Sequence, residues 1–94
     1  MAFTFEWDPK KAAANARKHG VTFDEAATAF NDPFGRVVDD PRHSGSEPRA
    51  ALLAYSQQRR LLAVMFTERS DRIRLISARK ATRREHQAYE EGAR

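Results

Sequence analysis

The sequence predicts an α+β fold in which helices pack on one face of an antiparallel β-sheet. Three strand-like runs follow one another between residues 49 and 78 with short links, and this arrangement is typical of an antiparallel meander. Signals for the start of a helix occur before and after these runs. The chain has 94 residues, so we expect a single domain, 1–94, with one core.

The first two elements are a short strand and a helix. Apolar and polar residues alternate over residues 2–7, which is the period of a strand. Asp8 is a favourable N-cap and Pro9 a favourable first helical residue, so a helix is expected over residues 10–19. Gly20 follows directly and is the typical residue at a helix end.

A second helix and a loop are predicted next. Thr22 and Glu25 have the spacing of a capping box, and apolar residues continue at helical spacing to about Phe30. Residues 35–39 form a possible strand. Residues 40–48 are rich in turn-forming residues and predict an exposed loop.

The meander and a last helix complete the chain. The strand-like runs cover residues 49–56, 60–67 and 72–78. Thr82 and Glu85 repeat the capping-box spacing, so a helix is expected over residues 82–91.

The last predicted strand separates its side chains by charge. Ile73 and Leu75 alternate with Arg72 and Arg74, so the arginines lie on the face away from the core. Ile76 then falls on the arginine side. Either the exposed face is mixed or a bulge shifts the register.

Composition limits the possible classes of protein. The chain has no cysteine, which suits a reducing compartment and excludes a disulfide framework. It has no recognisable signal peptide and no apolar run of membrane-spanning length. We therefore expect a cytoplasmic protein that does not contact a membrane.

Positive charge is concentrated in the second half of the chain. Residues 58–94 contain ten Lys and Arg against five Asp and Glu, whereas residues 1–57 contain seven against eight. Most of these cations are arginine, whose planar group grips phosphate oxygens with two donors. This distribution favours a polyanionic partner, with a merely soluble surface as the alternative.

Several ordered segments of the chain are specific enough to compare with a known family: Phe5–Ala13, Asn15–Ala27, Asp32–Pro33, Thr67–Thr82 and Glu85–Glu90. In order and spacing these segments resemble the BrnT family of toxins. The resemblance implies a RelE-like fold, an endoribonuclease activity that stops translation, and neutralisation by a BrnA-like antitoxin. That antitoxin would carry a ribbon-helix-helix region, so operator DNA would be contacted through the complex.

Metal-free RNA cleavage needs a base for the 2′-hydroxyl, cations for the phosphate and an acid for the leaving oxygen. Glu68 is the candidate base. Arg72, Arg74 and Arg79 are the candidate phosphate ligands, and Lys80 or a histidine is the candidate acid. Alternatively, Glu68 pairs with its neighbour Arg69 on the surface, and Arg79 and Lys80 only lead into the last helix.

Further RNA contacts are expected from Arg69, Arg83, Arg84 and Tyr89. Tyr89 and Trp7 are also explained by packing alone. His19, His43 and His86 lack the spacing of a zinc site, so neither a metal nor another cofactor is expected. The alternative function is a non-catalytic nucleic-acid-binding module, which would bind RNA without shortening it.

Overall fold

The computed structural model describes residues 3–39 and 48–92. In chain order its elements are β1 (Thr4–Glu6), α1 (Pro9–His19), α2 (Phe23–Thr28), a 3-10 turn (Ala29–Asn31), β2 (Arg36–Asp39), β3 (Ala50–Tyr55), β4 (Leu61–Arg69), β5 (Arg72–Lys80) and α3 (Arg83–Gly92). Every predicted helix and strand is confirmed, including the possible strand that became β2. The predicted loop at residues 40–48 falls almost entirely outside the described residues.

The five strands form one sheet in the order β1-β5-β4-β3-β2. Strands β3 to β5 form the predicted antiparallel meander, and β2 extends it by pairing antiparallel with β3. β1 instead pairs with β5 in parallel, with Phe5 opposite Ile73 and Glu6 opposite Arg74. The prediction of a wholly antiparallel sheet was therefore wrong at this edge, because a local pattern does not reveal which distant strand a short N-terminal strand joins.

The main core lies between the sheet and the helices α1 and α2. Its largest fully buried side chains are Phe23, Leu62, Val21 and Val64. Trp7 packs edge-on against Phe23, with ring centroids 5.9 Å apart. This contact supports the packing role of Trp7.

Helix α3 lies on the opposite face of the sheet. A groove of about 270 Å³ is bounded by Ala88 of α3 and by Leu53 and Ala63 of the sheet. The ring of Tyr89 meets that of Tyr55 edge-on at 5.1 Å. The prediction of helices on one face only was therefore wrong. β3 and β4 are nearly continuous apolar runs, and such strands are covered on both faces.

A β-bulge interrupts the pairing of β4 with β5. Met65 pairs with Ser77 and the next residue, Phe66, pairs with Leu75, so Ile76 is the extra residue. Of the two alternatives left open for Ile76, the structure has the bulge. It lets both Leu75 and Ala78 face the core.

Helices α1 and α3 are capped as the sequence predicts. The Asp8 side chain accepts a hydrogen bond from the Lys10 amide at 2.8 Å, and Gly20 ends α1 with φ of 70°. At α3 the capping box is reciprocal, because Thr82 and Glu85 each accept the other's amide, at 3.2 and 2.8 Å.

The capping box at α2 forms only in part. Thr22 Oγ1 accepts a hydrogen bond from the Glu25 amide at 3.1 Å. The Glu25 carboxylate does not reach back. It is buried and ion-paired with Arg60, and it accepts a hydrogen bond from the Ser56 hydroxyl at 2.7 Å. The Arg60 guanidinium lowers the pKa of Glu25 despite the opposing effect of burial.

Candidate nucleic-acid interface

One end of the sheet carries a cluster of arginines on the face opposite α1 and α2. Arg72 and Arg74 alternate with Ile73, which is buried in the core, so both arginines lie on the other side. Arg69 pairs directly with Arg72 across the hairpin between β4 and β5. The structure thus brings together three of the arginines predicted to bind RNA.

Glu6 holds this cluster together. Its two carboxylate oxygens lie 3.1 Å from Nη1 of Arg74, 3.4 Å from Nη1 of Arg72 and 3.7 Å from Nη1 of Arg69. Glu6 was missed in the sequence because its neighbours are distant in the chain. Its alternation with Phe5 and Trp7 does place it on the non-core face, but only the pairing of β1 with β5 shows what it meets.

The direct pairing of Arg69 with Arg72 is unfavourable on electrostatic grounds. Like charges opposite each other in a sheet destabilise it, and the single Glu6 carboxylate is shared by the guanidinium groups of Arg72 and Arg74. An excess of positive charge held on rigid strands is typical of an anion-binding surface. This face, defined by Glu6, Arg69, Arg72 and Arg74, is here called the arginine face.

Glu68, the predicted base, does not lie on the arginine face. It pairs with Ile73, and paired residues of adjacent strands point to the same side of the sheet. Its side chain is exposed at the other side of the hairpin, next to the two-residue turn at Ser70 and Asp71.

Arg79 is engaged by α3. It lies on the same face of the sheet as Arg74, five residues earlier in β5, because the extra residue of the bulge shifts the alternation of side chains by one position. Its guanidinium donates two hydrogen bonds to the Glu85 carboxylate, at 2.8 and 3.1 Å. This interaction lowers the pKa of Glu85 and raises that of Arg79. The geometry favours the alternative in which Arg79 leads into the last helix.

Lys80 is too far from the arginine face to act on the same phosphate. It ends β5, eight residues after Arg72, which corresponds to about 26 Å of strand at about 3.3 Å per residue. It pairs with Leu62 at the other end of the sheet. The geometry therefore does not favour Lys80 as the acid for a phosphate held by Arg72.

Tyr89 is buried and its hydroxyl donates a hydrogen bond to Asp32 at 2.7 Å. Burial and this carboxylate raise its pKa to about 12. A ring packed in this way has little open surface on which a base could stack, so the geometry favours the packing role of Tyr89 over the predicted contact with RNA. Arg83 and Arg84, in contrast, are exposed on the first turn of α3.

Asp32 is a second carboxylate that sequence reasoning did not single out. It accepts hydrogen bonds from the amides of Phe34 and Tyr55, both at 2.9 Å, and from the Tyr89 hydroxyl. Burial acts to raise the pKa of Asp32, but these hydrogen bonds outweigh it and lower the pKa. Asp32 ties α3 to the sheet, which is a structural role.

A polar groove of about 450 Å³ lies at the other end of the molecule from the arginine face. It is lined by side chains such as Thr28, Asp32 and Gln57. A carboxylate in the wall opposes a phosphate. The arginine face therefore suits RNA better than this groove does.

Within residues 3–39 and 48–92 there is no group of three or more His, Cys, Asp or Glu side chains arranged to hold a metal ion. His19 is half-buried in the last turn of α1, where a positive charge would suit the helix dipole. His86 is exposed on α3, and His43 lies outside the described residues. None of the helices in the described part of the chain combines the length and apolar character that a membrane crossing requires.

Comparisons with known proteins agree on one family. A model of the family described as the ribonuclease toxin BrnT of type II toxin–antitoxin systems matches residues 7–85, more than half of the chain. The 1.1 Å crystal structure of the Brucella abortus ribonuclease toxin BrnT is similar, with a TM-score of 0.66 and 20% sequence identity over 87% of this chain and 100% of that chain. At this identity the structural likeness supports the α+β fold. A search of curated proteins found no significant match.

Proposed function

The chain belongs to the BrnT family of ribonuclease toxins of type II toxin–antitoxin systems, and from this membership we propose that it cleaves RNA without a metal ion and thereby inhibits translation. The arginine face is the observation that carries the proposal. The proposal includes a RelE-like fold, a single domain over residues 1–94 and action in the cytoplasm.

The proposed substrate is a single RNA strand that lies across the tip of the hairpin between β4 and β5. Arg72 and Arg74 bind the scissile phosphate and stabilise the negative charge that develops on it. Arg69 contacts the same region of the strand. Arg83 and Arg84, exposed on α3, contact nucleotides farther along.

Glu68 is the proposed general base. It lies just before the hairpin turn, on the side of the tip opposite Arg72. The 2′-hydroxyl that attacks lies next to the scissile phosphate, so this role requires the exposed Glu68 side chain to reach around the hairpin turn toward the phosphate that meets the arginines. The carboxylate is exposed, so a substrate hydroxyl can reach it and give up its proton to it.

Cleavage is expected to persist in EDTA and to leave a 2′,3′-cyclic phosphate or a 3′-phosphate. The reason is that the attacking group is the substrate's own 2′-oxygen: Glu68 takes its proton, the bond from the 2′-oxygen to phosphorus forms as the bond to the 5′-oxygen breaks, and the leaving 5′-oxygen takes a proton from solvent water. No part of this step needs a metal-bound water. The measurement is gel analysis of labelled RNA after incubation with the purified protein. RNA methylated at every 2′-oxygen is the control and should remain intact.

Loss of cleavage in EDTA that magnesium restores would contradict this mechanism. Binding of RNA without any shortening would instead favour the non-catalytic nucleic-acid-binding module.

Type II toxins act with an antitoxin partner, and we propose a BrnA-like protein in this role. Its toxin-binding segment would present carboxylates to the arginine face and so exclude RNA. Its ribbon-helix-helix region would bind operator DNA, so DNA contact belongs to the complex.

RNA and antitoxin are therefore expected to compete for the toxin. Adding the toxin-binding segment of the antitoxin, without its DNA-binding region, should displace a 2′-O-methyl RNA from the toxin. Fluorescence anisotropy of the labelled RNA measures this displacement. RNA bound to the toxin–antitoxin complex with the affinity of the free toxin would show that the antitoxin acts from elsewhere on the molecule.

A further inference from the structure

We propose that Glu6 is a positioning residue for the phosphate-binding arginines, which it orients while moderating their affinity for RNA. The inference rests on the proposed function, because it assigns Glu6 a role within the RNA-cleaving face. It starts from the placement of one carboxylate beneath three guanidinium groups.

The backbone of Glu6 is fixed by its neighbours in the chain. Phe5 and Trp7 pack against the hydrophobic core on either side of it. Glu6 itself pairs with Arg74 in the parallel register of β1 with β5. Its carboxylate therefore starts from a rigid position, which a counter-ion on a loop would not have.

The contacts of Glu6 leave much of the Arg72 and Arg74 guanidinium groups available. Arg72 and Arg74 both reach Glu6 through Nη1, and a guanidinium has five N–H donors in a fixed plane. The side chain of Glu6 is 25% exposed, whereas those of Arg69 and Arg72 are 46% and 58% exposed. The carboxylate thus lies deeper than the groups it holds, and a phosphate can approach them from the solvent.

The charges on the arginine face also fit a positioning role. A purely structural ion pair needs one cation for one anion, but here both Arg72 and Arg74 converge on the Glu6 carboxylate. Without Glu6 their mutual repulsion would drive the side chains apart. With Glu6 they converge and keep an excess of positive charge for the substrate.

Glu6→Gln should therefore change binding and catalysis in opposite directions. Loss of the negative charge should tighten the binding of 2′-O-methyl RNA by a few-fold at low salt, as expected for one unit charge near a surface. Loss of orientation should lower the single-turnover cleavage rate at saturating RNA by about tenfold or more. A residue with a structural role alone would not produce this split.

Two further variants make the test sharp. Glu6→Asp keeps the charge but shortens the side chain, so it should bind RNA like the wild type and cleave more slowly. Glu91→Gln removes the same charge from an exposed position on α3 and should match the wild type in both measurements. Thermal unfolding of each variant shows that the rates refer to folded protein.

Weaker binding of 2′-O-methyl RNA by Glu6→Gln, or an unchanged rate at saturating RNA, would overturn the proposal. If the wild type binds RNA but does not cleave it, the proposed function fails on its own. The binding measurement would then still decide whether Glu6 moderates the affinity of the arginines.

Discussion

Arg74→Ala is expected to slow RNA cleavage by about 100-fold or more, the size of effect seen when one preorganised charge stabiliser is lost. Arg74 lies opposite Glu6 in the pairing of β1 with β5. Its Nη1 is 3.1 Å from Glu6, the shortest of the three arginine contacts to that carboxylate. Its side chain is 32% exposed, so it is held in place and still open to a substrate.

The fold should tolerate this change. A partly exposed ion pair contributes little to stability, so the melting temperature of Arg74→Ala should stay within a few degrees of the wild type. Arg74→Lys should recover only part of the activity, because an ammonium group cannot bind phosphate with two parallel donors. Arg17→Ala, an exposed arginine on α1, is the matched control and should cleave at the wild-type rate.

The measurement is the single-turnover rate per folded molecule, taken together with thermal unfolding. A variant that melts much earlier but cleaves at the wild-type rate would show that Arg74 serves the fold. That result would remove Arg74 from the proposed site.

Local signals in the sequence predicted most of the elements of the fold. The cap at Asp8, the reciprocal box of Thr82 with Glu85 and the alternation of Ile73 with Arg72 all depend on residues close together in the chain. Such features are set by backbone hydrogen bonding and by the period of a helix or strand. They can be recognised without knowing how the elements meet.

The errors all involve contacts between distant segments. Glu25 fits a capping box by its spacing, yet its carboxylate joins Arg60, which is 35 residues away. The side of the sheet covered by α3 depends on where the chain turns after β5. The parallel pairing of β1 likewise depends on the whole topology, and local propensity does not encode it.

Like the fold, the candidate site was predicted where it depends on neighbouring residues and missed where it depends on distant ones. The arginines of β5 were found because their alternation with the core is local. Glu6 was missed because the arginines that it meets lie on a neighbouring strand. Lys80 was grouped with Arg72 although it lies at the other end of β5. Charge type could be seen in the sequence, but the distance between charges required the fold.

The largest expected effect on stability comes from Asn15, a polar residue buried in α1. Its side-chain amide donates to the carbonyl oxygens of Val21 at 2.9 Å and Ala78 at 2.8 Å. Its side-chain oxygen accepts the amide of Ala78 at 3.0 Å. The pairing of β1 with β5 ends at Arg74 and does not extend to Ala78. Asn15 therefore forms with the backbone of Ala78 the hydrogen bonds that a neighbouring strand would form.

Asn15→Ala should therefore lower the free energy of unfolding by about 3–5 kcal/mol. It leaves three buried backbone groups without this partner, and an unsatisfied buried group costs about 1–3 kcal/mol. Since a typical domain is stable by about 5–15 kcal/mol, the loss is large, and the melting temperature should fall by about 15 °C or more. Chemical denaturation and thermal unfolding measure the two quantities.

Asn15→Asp separates hydrogen bonding from packing, because aspartate has nearly the same shape as asparagine. At neutral pH it would turn a carboxylate oxygen toward the carbonyl oxygens of Val21 and Ala78, so it should be at least as unstable as Asn15→Ala. Asn31→Ala, at an exposed position, should change stability by no more than about 0.5 kcal/mol. If Asn15→Asp were as stable as the wild type, the amide's donated hydrogen bonds would not be what holds α1 to the edge of β5.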